Sequence, residues 1–309
     1  MNMRKKAPAT DNHGFVIVPV LWILLMLATL AGVFSVYLAN SAIALALNDD
    51  RLRSAALVSA SLELTAYRIA SAPKQNRPQS GSFVFGLDRS RVSVQFSSET
   101  SRIDLNLAPK ELFANLFQVL GAQSKDAEEY ANRIAGWRAP QPDDSLDSEN
   151  ALYRAAGVRY LPRSAPFPSV QELWLVLGLP PALVERAMQF VTVFSGQATI
   201  NVFEAAPEVV ASLPGMTPAA LDMFLKQRQT LPREMKAITD LLGSAKSNVA
   251  IQGSNAIRVR TSIEFENGRR SAAEVVIFLD AGEDPYRVLS WRDDTEVAAL
   301  RSPVGGGLQ

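Results

Sequence analysis

Residues 14–48 contain no charged side chain, and residues 15–39 are almost wholly apolar, opening Phe15-Val16-Ile17-Val18-Pro19-Val20-Leu21-Trp22. As a helix, residues 15–39 rise about 37 Å, enough to cross a hydrocarbon core of roughly 30 Å. Arg4, Lys5 and Lys6 stand just ahead of it, a basic patch of the kind retained on the cytoplasmic side. The sequence therefore predicts one membrane crossing, with residues 1–14 inside and everything beyond residue 39 outside. A secretory signal cut on the far side needs a shorter apolar core and a small-x-small site. Leu38-Ala39-Asn40-Ser41-Ala42 is a weak site, so a retained anchor is expected.

The commonest catalytic side chains are missing from what lies outside. The 309 residues hold 31 Lys+Arg against 31 Asp+Glu, so no whole-chain charge argues for nucleic acid or an anionic surface. Cysteine is absent, which excludes a disulfide frame and a thiolate site. The one histidine, His13, precedes the apolar stretch, so the rest lacks the commonest general base and the usual zinc ligands. No catalytic, metal-binding or cofactor-binding residue is assigned, and a non-enzymatic protein without a cofactor is expected. Carboxylate, Ser-Lys or tyrosine chemistry is the remaining catalytic option.

Beyond the membrane the helix is predicted to continue. Residues 41–72 are rich in Ala, Leu and Arg, contain no Gly or Pro, and stop at Ala72-Pro73. Residues 73–81 read as a loop. Ser82-Phe83-Val84-Phe85 and Arg91-Val92-Ser93-Val94-Gln95-Phe96, split by Gly86-Leu87-Asp88-Arg89, read as a hairpin with Val92, Val94 and Phe96 on one buried face.

From Ser101 the period becomes helical and a repeat appears. Ile103-Asp104-Leu105-Asn106-Leu107-Ala108-Pro109-Lys110-Glu111-Leu112 recurs ninety-seven residues later as Ile200-Asn201-Val202-Phe203-Glu204-Ala205-Ala206-Pro207-Glu208-Val209. Each is a short extended piece leading through Ala and Pro into a helix whose first turn holds Glu, so two related helical units are expected. Joints at Gly121, Gly178 and Gly215 precede predicted helices over 125–137, 182–194 and 219–228. Ser169 with Glu172 reads as a capping box opening another helix. Between the units, Asp143, Asp144, Asp147 and Glu149 make an acidic loop with oxygen ligands for calcium but no EF-hand spacing, and it reads as a solvated linker.

Leu213-Pro214-Gly215-Met216-Thr217, followed by Lys226 and Arg228, resembles the helix-hairpin-helix of DNA-binding proteins. Thr217 stands where a second glycine would let phosphate approach the backbone. Residues 199–247 carry five Lys/Arg and five Asp/Glu, not a basic stripe. From residue 248 the period returns to two: 257–265, 273–279 and 286–291 read as strands, with Asn267-Gly268 as a hairpin turn and 301–309 as a frayed tail. Strands on both sides of the helical stretch are too few to stand separately. The expected fold is α+β: a long transmembrane and stalk helix packed on a small antiparallel sheet, with a large α-helical insertion. The predicted segments are a leader (1–14), the membrane part of the helix (15–39), stalk and first strands (40–100), the inserted helical domain (101–247) and the closing strands (248–309).

The basic leader ending in Gly14, followed by Phe15 and the apolar helix, resembles the class III leader of type IV pilins and pseudopilins. Pro19 occupies the place where most pilins carry a glutamate. Together with the Ile-Asn/Asp-Val/Leu-x-x-Ala units and the terminal strands, this resembles the minor pseudopilin K family of type II secretion systems over nearly the whole chain. In that family an acidic loop after a Trp binds calcium in some members; here Trp137 is followed by Arg138 and Ala139. The resemblance implies cleavage by prepilin peptidase between Gly14 and Phe15, methylation of Phe15, and a single-pass inner-membrane protein with its bulk in the periplasm. It implies a place at the tip of a periplasmic pseudopilus, which helps to initiate assembly and to export folded proteins across the outer membrane. Its partners would be other minor pseudopilins and secreted proteins, with no nucleic acid. A membrane-anchored periplasmic DNA-binding protein using its helical hairpins, and an anchored scaffold unrelated to pilins, are the alternatives.

Overall fold

The computed structural model describes residues 17–73, 76–140, 148–282 and 284–293. The chain separates into two compact units, residues 1–56 and 57–309. Helix α1 (Ile17–Ala70) starts in the first and ends in the second. In the first unit, residues 18–41 are the one described helical stretch long and apolar enough to cross a membrane, with a mean hydropathy of 2.2. Pro19 is tolerated there because it falls in the first turn, where no intrahelical N–H bond is lost.

In the second unit, α1 presents Leu57, Val58, Leu62, Ala66 and Ile69 along one buried stripe. Ser61 and Thr65 share that stripe and are fully buried. Their hydroxyls donate to Leu57 O and Ser61 O one turn back, at 2.8 and 2.7 Å, which meets the cost of burying them. The helix stops two residues short of the predicted end: Ser71 and Ala72 close it with bonds to Tyr67 O and Ile69 O, ahead of Pro73.

The stripe covers a five-stranded antiparallel sheet of order β1-β2-β7-β8-β9. Its first hairpin is β1 (Ser80–Leu87) and β2 (Ser90–Ser98). The strands run through Gly86, and the turn is Asp88-Arg89 with φ of +49° and +55°. Two consecutive positive φ values match the twist of a tight hairpin, which is why the strands extend further than the apolar runs suggest.

The helical block follows, in order β3 (Ile103–Asp104), α2 (Lys110–Val119), α3 (Ser124–Arg138), α4 (Glu149–Ala155), α5 (Pro181–Ala187), β4 (Val191–Thr192), β5 (Ile200–Asn201), α6 (Pro207–Ala211), α7 (Pro218–Gln227), α8 (Met235–Leu242) and β6 (Val249–Ala250). The chain then returns to the sheet as β7 (Ala256–Glu264), β8 (Arg270–Ala281) and β9 (Asp284–Asp293). On β7, Ile257, Val259, Thr261 and Ile263 face α1 and Arg258, Arg260, Ser262 and Glu264 face away, so the alternation is regular. The turn to β8 is a loop closed by Phe265 N–H to Arg269 O and Gly268 N–H to Phe265 O, longer than a two-residue hairpin.

The repeat folds as a repeat. β3 pairs in parallel with β4, and β5 in parallel with β6. Asp104 Oδ1 accepts from Asn106 N at 2.8 Å, and Asn201 Oδ1 accepts from Phe203 N at 3.1 Å, so the acid–amide exchange keeps the same turn. Ala108 O receives Arg138 Nη2 at 2.7 Å and Ala205 O receives Arg228 Nη1 at 2.9 Å. The equivalent helices α2 and α6 pack on each other, and Asn115 Nδ2 donates to Ser212 O at 2.9 Å. Those two residues are also ninety-seven apart, so the units meet at equivalent positions.

Three helical expectations need correction. The predicted helix over 182–194 ends at Ala187, and Val191-Thr192 become the partner strand of Ile103-Asp104; β-branched residues there are better used on a ladder. The predicted capping box fails. Ser169 makes no side-chain cap bond, residues Val170–Leu175 form a 3-10 helix, and Glu172 turns to Arg163 and to Trp137 Nε1. The block expected to be helical over 101–247 also holds three short strands, β3, β4 and β5, of which β3 and β5 are the extended pieces that open the two repeats.

Candidate assembly site and the joint of sheet and helical block

Gly14 and Phe15, the expected processing residues, lie outside the described residues, as do Asp143, Asp144, Asp147 and the tail beyond residue 293. Glu149, the last member of the acidic loop, is described and turns inward. Its Oε2 accepts from Arg133 Nη1 at 3.3 Å, and burial pushes its carboxyl up despite that guanidinium. Ser148 caps α4 beside it. Among the described residues no group of three or more His, Cys, Asp or Glu is placed to hold a metal ion.

An aromatic stack joins α3 and α4. Trp137 lies on Phe167 with ring centroids 6.0 Å apart and beside Tyr153 at 5.9 Å. Tyr153 OH accepts from Leu177 N at 2.7 Å, and burial first of all raises its pKa to about 12. The hairpin cations are engaged within the chain. Arg228 is turned onto Ala205 O, and Lys226 pairs with Asp222 at 2.7 Å.

The densest electrostatic feature is the joint where the sheet's outer face meets the helical block. Glu99, in the one-turn 3-10 helix Glu99–Ser101 just after β2, is fully buried. Its carboxylate accepts from Arg258 Nε at 2.6 Å, Arg258 Nη2 at 2.9 Å and Arg102 Nη1 at 3.3 Å, and from the Thr192 hydroxyl. One strand over, Glu274 accepts from Arg258 Nη1 at 2.5 Å, Arg260 Nε at 2.7 Å and Arg292. The register explains this: Arg260 lies opposite Glu274 on β8, and Glu274 opposite Arg292 on β9.

Burial works to raise both carboxyls, but the guanidiniums outweigh it. Arg258 chiefly holds Glu99 below its usual range, and Arg258, Arg260 and Arg292 hold Glu274 down at about 2. The Arg102 pKa is lowered as well, to about 10, but for a cation that means a disfavoured charge: burial comes first and the neighbouring Arg258 second. Arg258 holds Glu99 through two N–H groups and Glu274 through a third, and such a two-pronged grip fixes orientation as well as charge. No motif in the sequence announces this cluster. Its trace is the alternation Arg258-Val259-Arg260 on a strand whose other face is apolar.

Residues 95–196 match the family model described as type II secretion system (T2SS), protein K. Type II secretion system protein K of Klebsiella pneumoniae is 24% identical over 175 residues, covering 56% of this chain. Both comparisons make type II secretion system protein K what this chain is similar to. The aligned part spans about half of that protein K sequence, 53%. The fold is also similar to that of a chain in the crystal structure of the GspK–GspI–GspJ complex from enterotoxigenic Escherichia coli. The TM-score is 0.59 at 17% identity, with 80% of this chain and 98% of that chain covered. The matched segment 95–196 takes in the Glu99 anchor, β3, the aromatic stack and β4.

Proposed function

We propose that this protein is a minor pseudopilin held in the inner membrane by residues 15–39, with its head in the periplasm at the tip of a short pseudopilus. The observation that carries the reading is the combination, in one chain, of a protein K head and one apolar helix that enters it without a break. The relative of the same fold comes from a complex with two other proteins, GspI and GspJ, so minor pseudopilins are the partners of choice. Pro19 supports the tip position. A subunit without an acidic side chain at that depth has nothing to offer the terminal amine of a neighbour below it. The helical block argues the same way, because a head this wide at every subunit would clash along a filament.

Processing between Gly14 and Phe15 is the testable core of this reading. The N-terminal mass of the protein should be measured from membranes of cells with and without prepilin peptidase. A chain starting at N-methylated Phe15 only when the peptidase is present is expected. A Met1 start in both strains overturns the reading.

A further inference from the structure

The joint carries more positive charge than its carboxylates balance. Arg102, Arg258, Arg260 and Arg292 share Glu99 and Glu274, and every carboxylate oxygen of the two is already taken by a guanidinium. Arg258 and Arg260 both act to destabilise the charge on Arg102, so the excess is felt inside the cluster. Arg260 and Arg292 each spend one donor group on Glu274, and their side chains remain 40% and 21% exposed. Against this cluster lies a cavity of about 30 Å³, lined by Arg258, Arg292, Glu274, Ser169, Gln171 and Ser290, with Phe194 and valine side chains behind. That volume exceeds what one water needs, roughly 10–15 Å³. Its lining offers guanidinium, hydroxyl and amide donors, and its one carboxylate, Glu274, is spent on three arginines.

We propose that this cavity binds a small monovalent anion of chloride size, which completes the charge balance of the joint and ties the helical block to the sheet. Ser169 and Gln171 reach it from the helical block and Ser290 and Arg292 from β9, so the bound ion touches both sides. The inference does not depend on what the head assembles with.

The test uses the full-length protein in neutral detergent micelles. Thermal unfolding is followed as sodium chloride replaces sodium gluconate at fixed ionic strength, which keeps general screening constant. The melting temperature should rise and saturate, by about 3–6 °C at tenfold excess over the apparent Kd. Chloride NMR linewidth on the native protein should broaden and be competed by bromide. Arg292→Gln removes a donor, and Ser290→Leu fills the cavity while leaving all charges in place; both should abolish the chloride dependence. Equal melting in chloride and gluconate overturns the proposal, as does broadening that survives in Ser290→Leu.

Discussion

Glu99→Gln tests whether the joint holds the head together. The substitution keeps the side-chain shape but leaves Arg258, whose side chain is 7% exposed, with one of its two carboxylates neutralised. Breaking a buried pair on one side costs about 3–5 kcal/mol, since the remaining charge is stranded out of water. For a body of this size each kcal/mol moves the melting temperature by roughly 2–4 °C, so a fall of about 6–20 °C is expected. Lys226→Ala is the control: it removes an ion pair with both partners well exposed, worth at most about 1 kcal/mol. Both variants would be compared by calorimetry of the intact protein in micelles, with near-ultraviolet circular dichroism to confirm native packing at low temperature. The double variant Glu99→Leu/Arg258→Met should recover only part of the loss, because it frees Arg258's site of charge but still takes from buried Arg102 its carboxylate partner. A Glu99→Gln protein melting within the range of the Lys226→Ala control would refute the reasoning.

The same cluster sets the acid limit. Glu274 has its folded pKa at about 2 against an ordinary 4.5, so its contribution is complete above 4.5 and disappears as pH falls from there toward 2. Glu274→Gln should flatten that part of a stability–pH profile measured by chemical denaturation. Tyr153→Phe leaves Leu177 N–H without its hydroxyl acceptor and should cost about 1–3 kcal/mol in the same measurement. Gly136→Ala places a Cβ 2.7 Å from Glu149 Oε2; the carboxylate must shift off Arg133, and a loss of roughly 1–3 kcal/mol is expected. Arg138→Met and Arg228→Met remove equivalent contacts to Ala108 O and Ala205 O, and each should destabilise by about 1.5–3 kcal/mol, nearly additively.

Periodicity made the large elements legible. The alternation of β2 and the ninety-seven-residue repeat each follow from local spacing, and the order of strands around a helical stretch pointed to one sheet. Local signals failed where a tertiary partner decided the outcome. Ser169 and Glu172 have capping-box spacing, yet Glu172 is worth more to Arg163 and Trp137 than to a backbone N–H. Val191-Thr192 follow a helical run, and only the arrival of Ile103-Asp104 from eighty-eight residues earlier makes them a strand. The joint was invisible for the same reason: Glu99 and Arg258 are 159 positions apart. Gly14 and Phe15 were read from a leader pattern alone, and their processing rests on the mass measurement.

Ser98 and Ile257 are register partners on adjacent antiparallel strands. The chain therefore leaves the sheet and comes back to it about 5 Å away, after more than 150 residues. A doorway that narrow makes the sheet indifferent to the size of what hangs from it. Parts of the helical block far from that doorway can change without altering a strand. At the doorway Glu99 on one side clasps Arg258 on the other, a latch set where the two passages of the chain meet.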